Sequence, residues 1–112
     1  MAKQKEIDLQ QAILDNIPYL AWLKDDEGKY IVVNQSFAEL YNTQPNQIIG
    51  KTDFDLCSRD KALEFHRNDE EVKRTRKRHF VEQIEVHTSG TSHFETFKTP
   101  VLDKEGNVIG IA

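Results

Sequence analysis

The segment Tyr19–Phe37 reads YLAWLKDDEGKYIVVNQSF, and most of the architecture follows from it. Its aromatic and apolar opening, Tyr19 to Lys24, predicts a strand. Asp25-Asp26-Glu27-Gly28 predicts a turn. Lys29 to Val33, with β-branched Ile31, Val32 and Val33, predicts a second strand. The short spacing across the turn makes the two strands an antiparallel hairpin. Asn34 then stands where an N-cap is wanted, because its side-chain oxygen can accept from a free backbone N–H of the next helix. That helix, Gln35 to Tyr41, places Phe37, Leu40 and Tyr41 on one side.

Upstream, residues 5–16 carry Ile7, Leu9, Ala12, Ile13 and Leu14 at mixed three-to-four spacing and predict a helix that Pro18 ends. Downstream, 42–58 is irregular, with short helical turns expected after Pro45 and over Asp53–Leu56. Residues 59–77 form the longest helical candidate, with Asp60 near its start and basic residues crowding its end, as the helix dipole favours. Strands are predicted over His79–His87 and Thr91–Leu102, around Thr88-Ser89-Gly90. A turn follows at Asp103-Lys104-Glu105-Gly106, and Asn107–Ala112 opens a fifth strand. Short turns join the strands within each group, so their pairings are antiparallel. The economical solution is α+β: one five-stranded antiparallel sheet with helices packed on one face. Residues 1–16 then read as a flanking helix and 17–112 as the domain proper.

The chain has 112 residues, 38% hydrophobic and 30% charged, which suits one ordinary domain and is too apolar for a disordered chain. A single cysteine, Cys57, excludes an internal disulfide and a four-cysteine zinc site. The net charge of −4 argues against a nucleic-acid partner. There is no apolar run long enough to span a membrane and no signal-peptide core near Met1, so no membrane contact and a cytoplasmic location are expected. The sequence stops at Gly110-Ile111-Ala112, within a predicted strand, so a piece of a longer polypeptide is expected.

Ile17-Pro18, Trp22-Leu23-Lys24-Asp25, Gly28-Lys29-Tyr30, Val33-Asn34-Gln35-Ser36-Phe37 and Ile48-Ile49-Gly50-Lys51-Thr52-Asp53 recur in the order of a known family. So do Pro100-Val101-Leu102-Asp103 and Gly106-Asn107-Val108-Ile109-Gly110-Ile111. The ordered set resembles the PAS domain family over about residues 10–112. The Asp-Ile-Thr stretch that commonly follows the last strand in such domains is absent. The resemblance implies a non-catalytic sensory module that binds an unidentified small molecule between sheet and helices. It implies an output domain in the same chain, such as a histidine kinase, a diguanylate cyclase or phosphodiesterase, or a transcription regulator. It also implies a homodimer through the N-terminal helix; the alternative is a ligand-free dimerisation or protein-interaction module.

Pocket walls are expected from Trp22, Phe37, Tyr41, Phe54, Phe65, His66 and Asp69. Analogy with flavin-binding relatives adds Phe94, Thr96 and Lys98 as inward residues, although alternation alone leaves Glu95 and Phe97 open. Asp69 falls among apolar neighbours on one face of the long helix, where a carboxylate needs a partner. It either meets a polar ligand together with His66, or bonds a backbone N–H while His66 sits at the rim, and the second reading is preferred. Haem-binding relatives take their iron ligand from this helix, and His66 is the histidine on it; Arg67 and Asp69 make a poor haem wall. The Asn-Cys-Arg motif of flavin photosensors is missing after Gly50, so Cys57 reads as a small buried residue. With a hairpin centred on Gly90, His87 would face His93; a solvent-facing ladder is preferred over a metal site. The basic run Lys73–Arg78 reads as a solvated helix end. No phosphate loop, nucleophile elbow or His-Glu-x-x-His pair is present, and a Cys57–His66 dyad has nothing to support it.

Overall fold

The computed structural model describes residues 9, 11–87 and 90–112. The hairpin at the centre of the reading forms from β1 (Trp22–Asp25) and β2 (Tyr30–Val33), paired antiparallel with Trp22 opposite Val33 and Lys24 opposite Tyr30. Its turn is built by Asp25, whose Oδ1 accepts from the backbone N–H groups of Glu27 and Lys29, both at 2.9 Å. Gly28 takes a φ of +83°, which a residue with a Cβ adopts only with strain. The same Asp-x-Glu-Gly chemistry recurs at 103–106, where Asp103 Oδ1 accepts from Glu105 and Asn107, both at 2.9 Å.

The order continues with α2 (Gln35–Leu40), α3 (Pro45–Ile48), α4 (Asp53–Leu56) and α5 (Arg59–Thr75). Then come β3 (His79–His87), β4 (Gly90–Lys98), β5 (Pro100–Leu102) and β6 (Val108–Ile111). Upstream, α1 (11–15) is the described part of the helix expected over 5–16; residues 1–8 and 10 lie outside the described residues. Asn34 caps α2 as expected, and all its side-chain valences are used. Its Oδ1 accepts from Phe37 and Ala21, and its Nδ2 donates to the carbonyls of Leu14 and Tyr19. One asparagine thus ties α1, the lead-in to β1 and the start of α2 together. Helix α5 ends at Thr75, two residues short of the expected boundary, with Arg76 as its C-cap in the left-handed conformation.

The expected single five-stranded sheet is corrected in its strand count. A four-stranded antiparallel sheet runs β2-β1-β6-β5, and β3 and β4 form a separate two-stranded ladder. The strand expected over Thr91–Leu102 is divided at Thr99. Up to Lys98 it pairs with β3; from Thr99 it pairs with β6, with Thr99 and Ala112 exchanging both backbone hydrogen bonds. Successive residues of a strand present their N–H groups to opposite edges. Pro100 therefore lacks the very N–H that would have continued the ladder toward β3, and its other edge needs none. The α+β class and the packing of helices against the sheet stand, with α5 on β6 and α3 on β2.

A buried cluster of Tyr30, Val33, Phe37, Ala38 and Ile48 forms the core between β2 and α2–α3. Phe37 is its hub, with ring centroids 5.3 Å from Tyr30, 5.4 Å from Tyr41 and 5.8 Å from Trp22. On α5 the buried stripe is Ala62, Phe65, Asp69 and Val72, at the three-and-four spacing of one helix face.

Candidate ligand-binding site

Between the hairpin, α2, α5 and β4 lies a cavity of about 520 Å³. Alternation along β1 turns Trp22 and Lys24 to one side, and alternation along β4 does the same for Phe94, Thr96 and Lys98. Its aromatic walls are Trp22, Tyr30, Phe37, Tyr41, Phe65 and Phe94. Its polar groups include Lys24, Asp53, Thr96 and Lys98, and Glu95 and Phe97 also border it.

The polar groups form one network. Lys24 Nζ donates to Asp53 Oδ2 at 2.8 Å and to Asp69 Oδ2. Lys98 Nζ donates to Asp69 Oδ1 at 3.1 Å and lies over the Phe65 ring. Tyr30 Oη donates to the other oxygen of Asp53 at 2.5 Å. Lys24 and Lys98 are only 2% and 1% exposed, so this is a desolvated set in which two cations face two carboxylates. Burial pulls the Lys24 ammonium down, but Asp69 and Asp53 outweigh it and hold its pKa above the ordinary lysine value. Burial also pulls Lys98 down; Asp69 offsets only part of that and Lys24 opposes it, so Lys98 lies below the ordinary value. Burial, reinforced by the charge of Asp53, pushes the Tyr30 phenol well above the usual tyrosine range.

Of the residues expected to line a pocket, Trp22, Phe37, Tyr41, Phe65, Phe94, Thr96 and Lys98 border this cavity. Three stand elsewhere. Phe54 is 46% exposed, because the Thr52–Asp55 capping box at the start of α4 turns Asp53 inward and Phe54 out. His66 is exposed, one position off the buried stripe of α5. Asp69 is buried behind the lysines and reaches the cavity only through them; its carboxylate accepts from Lys24 and Lys98 rather than from the backbone N–H expected. His66 and Asp69 instead border a dimple of about 50 Å³ on the far side, with Asp26, Glu70 and Lys73. Among the described residues the cavity lining holds neither a histidine nor a cysteine, so these residues do not fit haem ligation through His66 or a flavin adduct at Cys57. Cys57 is half-buried rather than buried as expected, because its thiol lies at the end of α4 and donates to the carbonyl of Asp53. Lys24, Tyr30 and Asp53 were not among the expected residues. Stepping two positions along the strand from Trp22, and across the hairpin, would have reached the first two.

The expected facing of His87 and His93 is also corrected. The hairpin pairs His87 with Gly90 and Ile84 with His93, so the histidines are out of register; Thr88 and Ser89 lie outside the described residues. The basic run is engaged locally. Lys73 pairs with Glu70 and Asp26, Arg74 with Glu71, and Arg76 donates to the Gly106 carbonyl. Among the described residues no helix is long and apolar enough to cross a membrane, and no group of three metal-ligating side chains gathers.

The family model for the PAS fold matches residues 14–112. This chain is a PAS sensory domain. PAS domains are generally sensory rather than catalytic modules. Among solved structures it resembles VqmA of Vibrio cholerae, in a complex with a ligand and DNA. The two are 28% identical with a TM-score of 0.80, over 92% of this chain and 47% of that one. A phage VqmA–DPO complex is 27% identical with a TM-score of 0.78, over 97% of this chain and 51% of that one. A diguanylate cyclase of Vibrio cholerae is 24% identical over 110 residues, 96% of this chain and 34% of its own length. This PAS domain thus spans a third to a half of these relatives. The expectation of no nucleic-acid partner is overturned by the DNA complex of VqmA. The inference failed because a net charge of −4 describes these 112 residues and says nothing of the other half of VqmA, which they do not match.

Proposed function

We propose that this PAS domain holds a small molecule in the cavity between the hairpin and β4, and reports its presence to an attached output domain. The observation that carries the reading is the cavity itself. Its volume of about 520 Å³ lies within the range of small-molecule sites, and it joins aromatic walls to a compact polar end. The resemblance to VqmA, whose structures contain a ligand, DPO and DNA, supports both a ligand and a DNA-binding output. The diguanylate cyclase supports a signalling output of another kind. Binding shifts the output only as far as the ligand prefers one arrangement of sheet and helices over the other.

The test starts from purified protein. Denaturation followed by mass spectrometry should release a co-purified small molecule. DPO added to stripped protein should raise the melting temperature and change the emission of Trp22, the only tryptophan. Absence of any released molecule, together with no response to DPO or a broad metabolite library, would sink the reading.

The dimer reading has its own support, since Leu9 and Ile13 are exposed on the N-terminal helix. Sedimentation should then show a dimer that Ile13→Glu dissociates; an unchanged dimer would place the interface elsewhere.

A further inference from the structure

The ribbon of β3 and β4 has two faces. Thr96 and Lys98 are the buried residues of β4, so alternation sends Glu95 and Phe97 to the other face, with their cross-strand partners Glu82 and Phe80. Phe80 and Phe97 are 51% and 61% exposed, yet stand directly opposite one another with ring centroids 5.2 Å apart. A paired aromatic surface left in water marks a contact site rather than a stray apolar residue. Two positions further along, Glu82 and Glu95 are also directly opposite, and neither carboxylate meets a cation among the described residues. Like charges so placed repel, so this rung is short of a cation.

The chain carries that cation at the matching distance on the other side of the rings. Arg78 stands two positions before Phe80, as Glu82 stands two after it. Its guanidinium lies 5.9 Å from the centre of the Phe97 ring and donates through Nε to Thr99 Oγ1 at 3.2 Å. Its two terminal amino groups have no protein acceptor among the described residues. Along the strands the outer face therefore runs cation, aromatic pair, carboxylate pair, with the aromatic pair at the midpoint. A two-fold axis through the aromatic rung, running across the strands, brings two such faces together. It sets aromatic pair against aromatic pair and each Arg78 opposite the Glu82–Glu95 pair of the other copy.

We propose that the outer face of the ribbon is a self-association surface whose occupant is a second copy of this chain, held by Phe80 and Phe97 and by two reciprocal Arg78–Glu82 pairs. This contact is independent of the cavity, and it uses a surface distinct from the exposed Leu9 and Ile13 of the N-terminal helix. The patch is small, so the contact is weak and forms at high protein concentration.

Ile13→Glu protein isolates it from the helical contact. In proton–nitrogen correlation spectra recorded at rising concentration, the amides of Phe80, Glu82, Glu95 and Phe97 should shift together while those of α1 stay still. Arg78→Glu and Glu82→Arg each set like charges opposite one another, and each alone should weaken association about tenfold in sedimentation equilibrium. Mixed in equal amounts, the two variants present opposite charges at both contacts, and association should return as a heterodimer. Positions 78 and 82 lie about 13 Å apart on one strand, too far to pair within a copy, so only a contact between copies explains recovery on mixing. Ribbon amides that stay still with concentration would give the face to another partner and overturn the proposal. Association that survives both single variants, or that fails to return on mixing, would overturn it as well. If a variant does not fold, the concentration series on the unsubstituted ribbon decides alone.

Discussion

Asp69 is one carboxylate serving two buried lysines, and the consequences are unequal for its partners. Without it, Lys24 keeps Asp53, but Lys98 loses its carboxylate. Removing one partner of a buried pair costs about 3–5 kcal/mol, so Asp69→Ala should lose about that much in urea denaturation. Asp69→Leu combined with Lys98→Met leaves the Lys24–Asp53 pair balanced and should be more stable than the single variant; a double variant that is worse would show that the network is not simply a matter of charge balance. Tyr30 carries a pH prediction. Its folded pKa is raised above the unfolded value of 10.0, so its contribution to stability is full below that value. It is lost as pH climbs from there through the folded pKa. Lys24, also raised, behaves likewise from 10.5 upward. Spectrophotometric titration should show a late phenolate step that Tyr30→Phe abolishes, and the alkaline loss of stability should become shallower in that variant.

At the level of elements, β1 and β6 approach so closely that a Cβ at Gly110 would collide with the backbone carbonyl oxygen of Lys24. Backbone cannot swing aside as a side chain can. Gly110→Ala should therefore destabilise by about 1–3 kcal/mol in thermal or urea unfolding, while a neutral outcome would mean the strands separate freely. This constraint was illegible in the sequence, because it depends on a strand from the far end of the chain pairing with β1. What was legible was local. Asn34 as a cap, the Asp-x-Glu-Gly turns and the long amphipathic helix each depend on neighbours within a few positions. The register of β3 and β4 was misread because the turn at 88–90 admits several loop lengths, and each moves His93 opposite a different residue. Phe54 was misread because apolarity alone suggested burial, whereas the capping geometry of Thr52 and Asp55 decides which side of α4 faces inward.

For the molecule as a whole, the charged network was out of reach of sequence reasoning because its members come from distant elements. Lys24 and Asp69 stand 45 positions apart, and Lys98 and Asp69 stand 29 apart. Phe37, Tyr41 and Phe65 could be found because helical periodicity reveals inward faces, whereas Phe94 came from the family resemblance; the ionic half depends on which faces meet. The division of the long strand at Thr99 has a mechanical corollary. One wall of the cavity, Phe94 to Lys98, belongs to a ribbon that shares no rung with the four-stranded sheet. Amide exchange should therefore slow across β3 and β4 when the cavity is filled, with little change in β1 and β6; uniform protection would contradict this. Slowing confined to the ribbon would make Thr99, whose backbone bonds both go to Ala112, the joint about which the ribbon tilts while the bonds of the main sheet stay made.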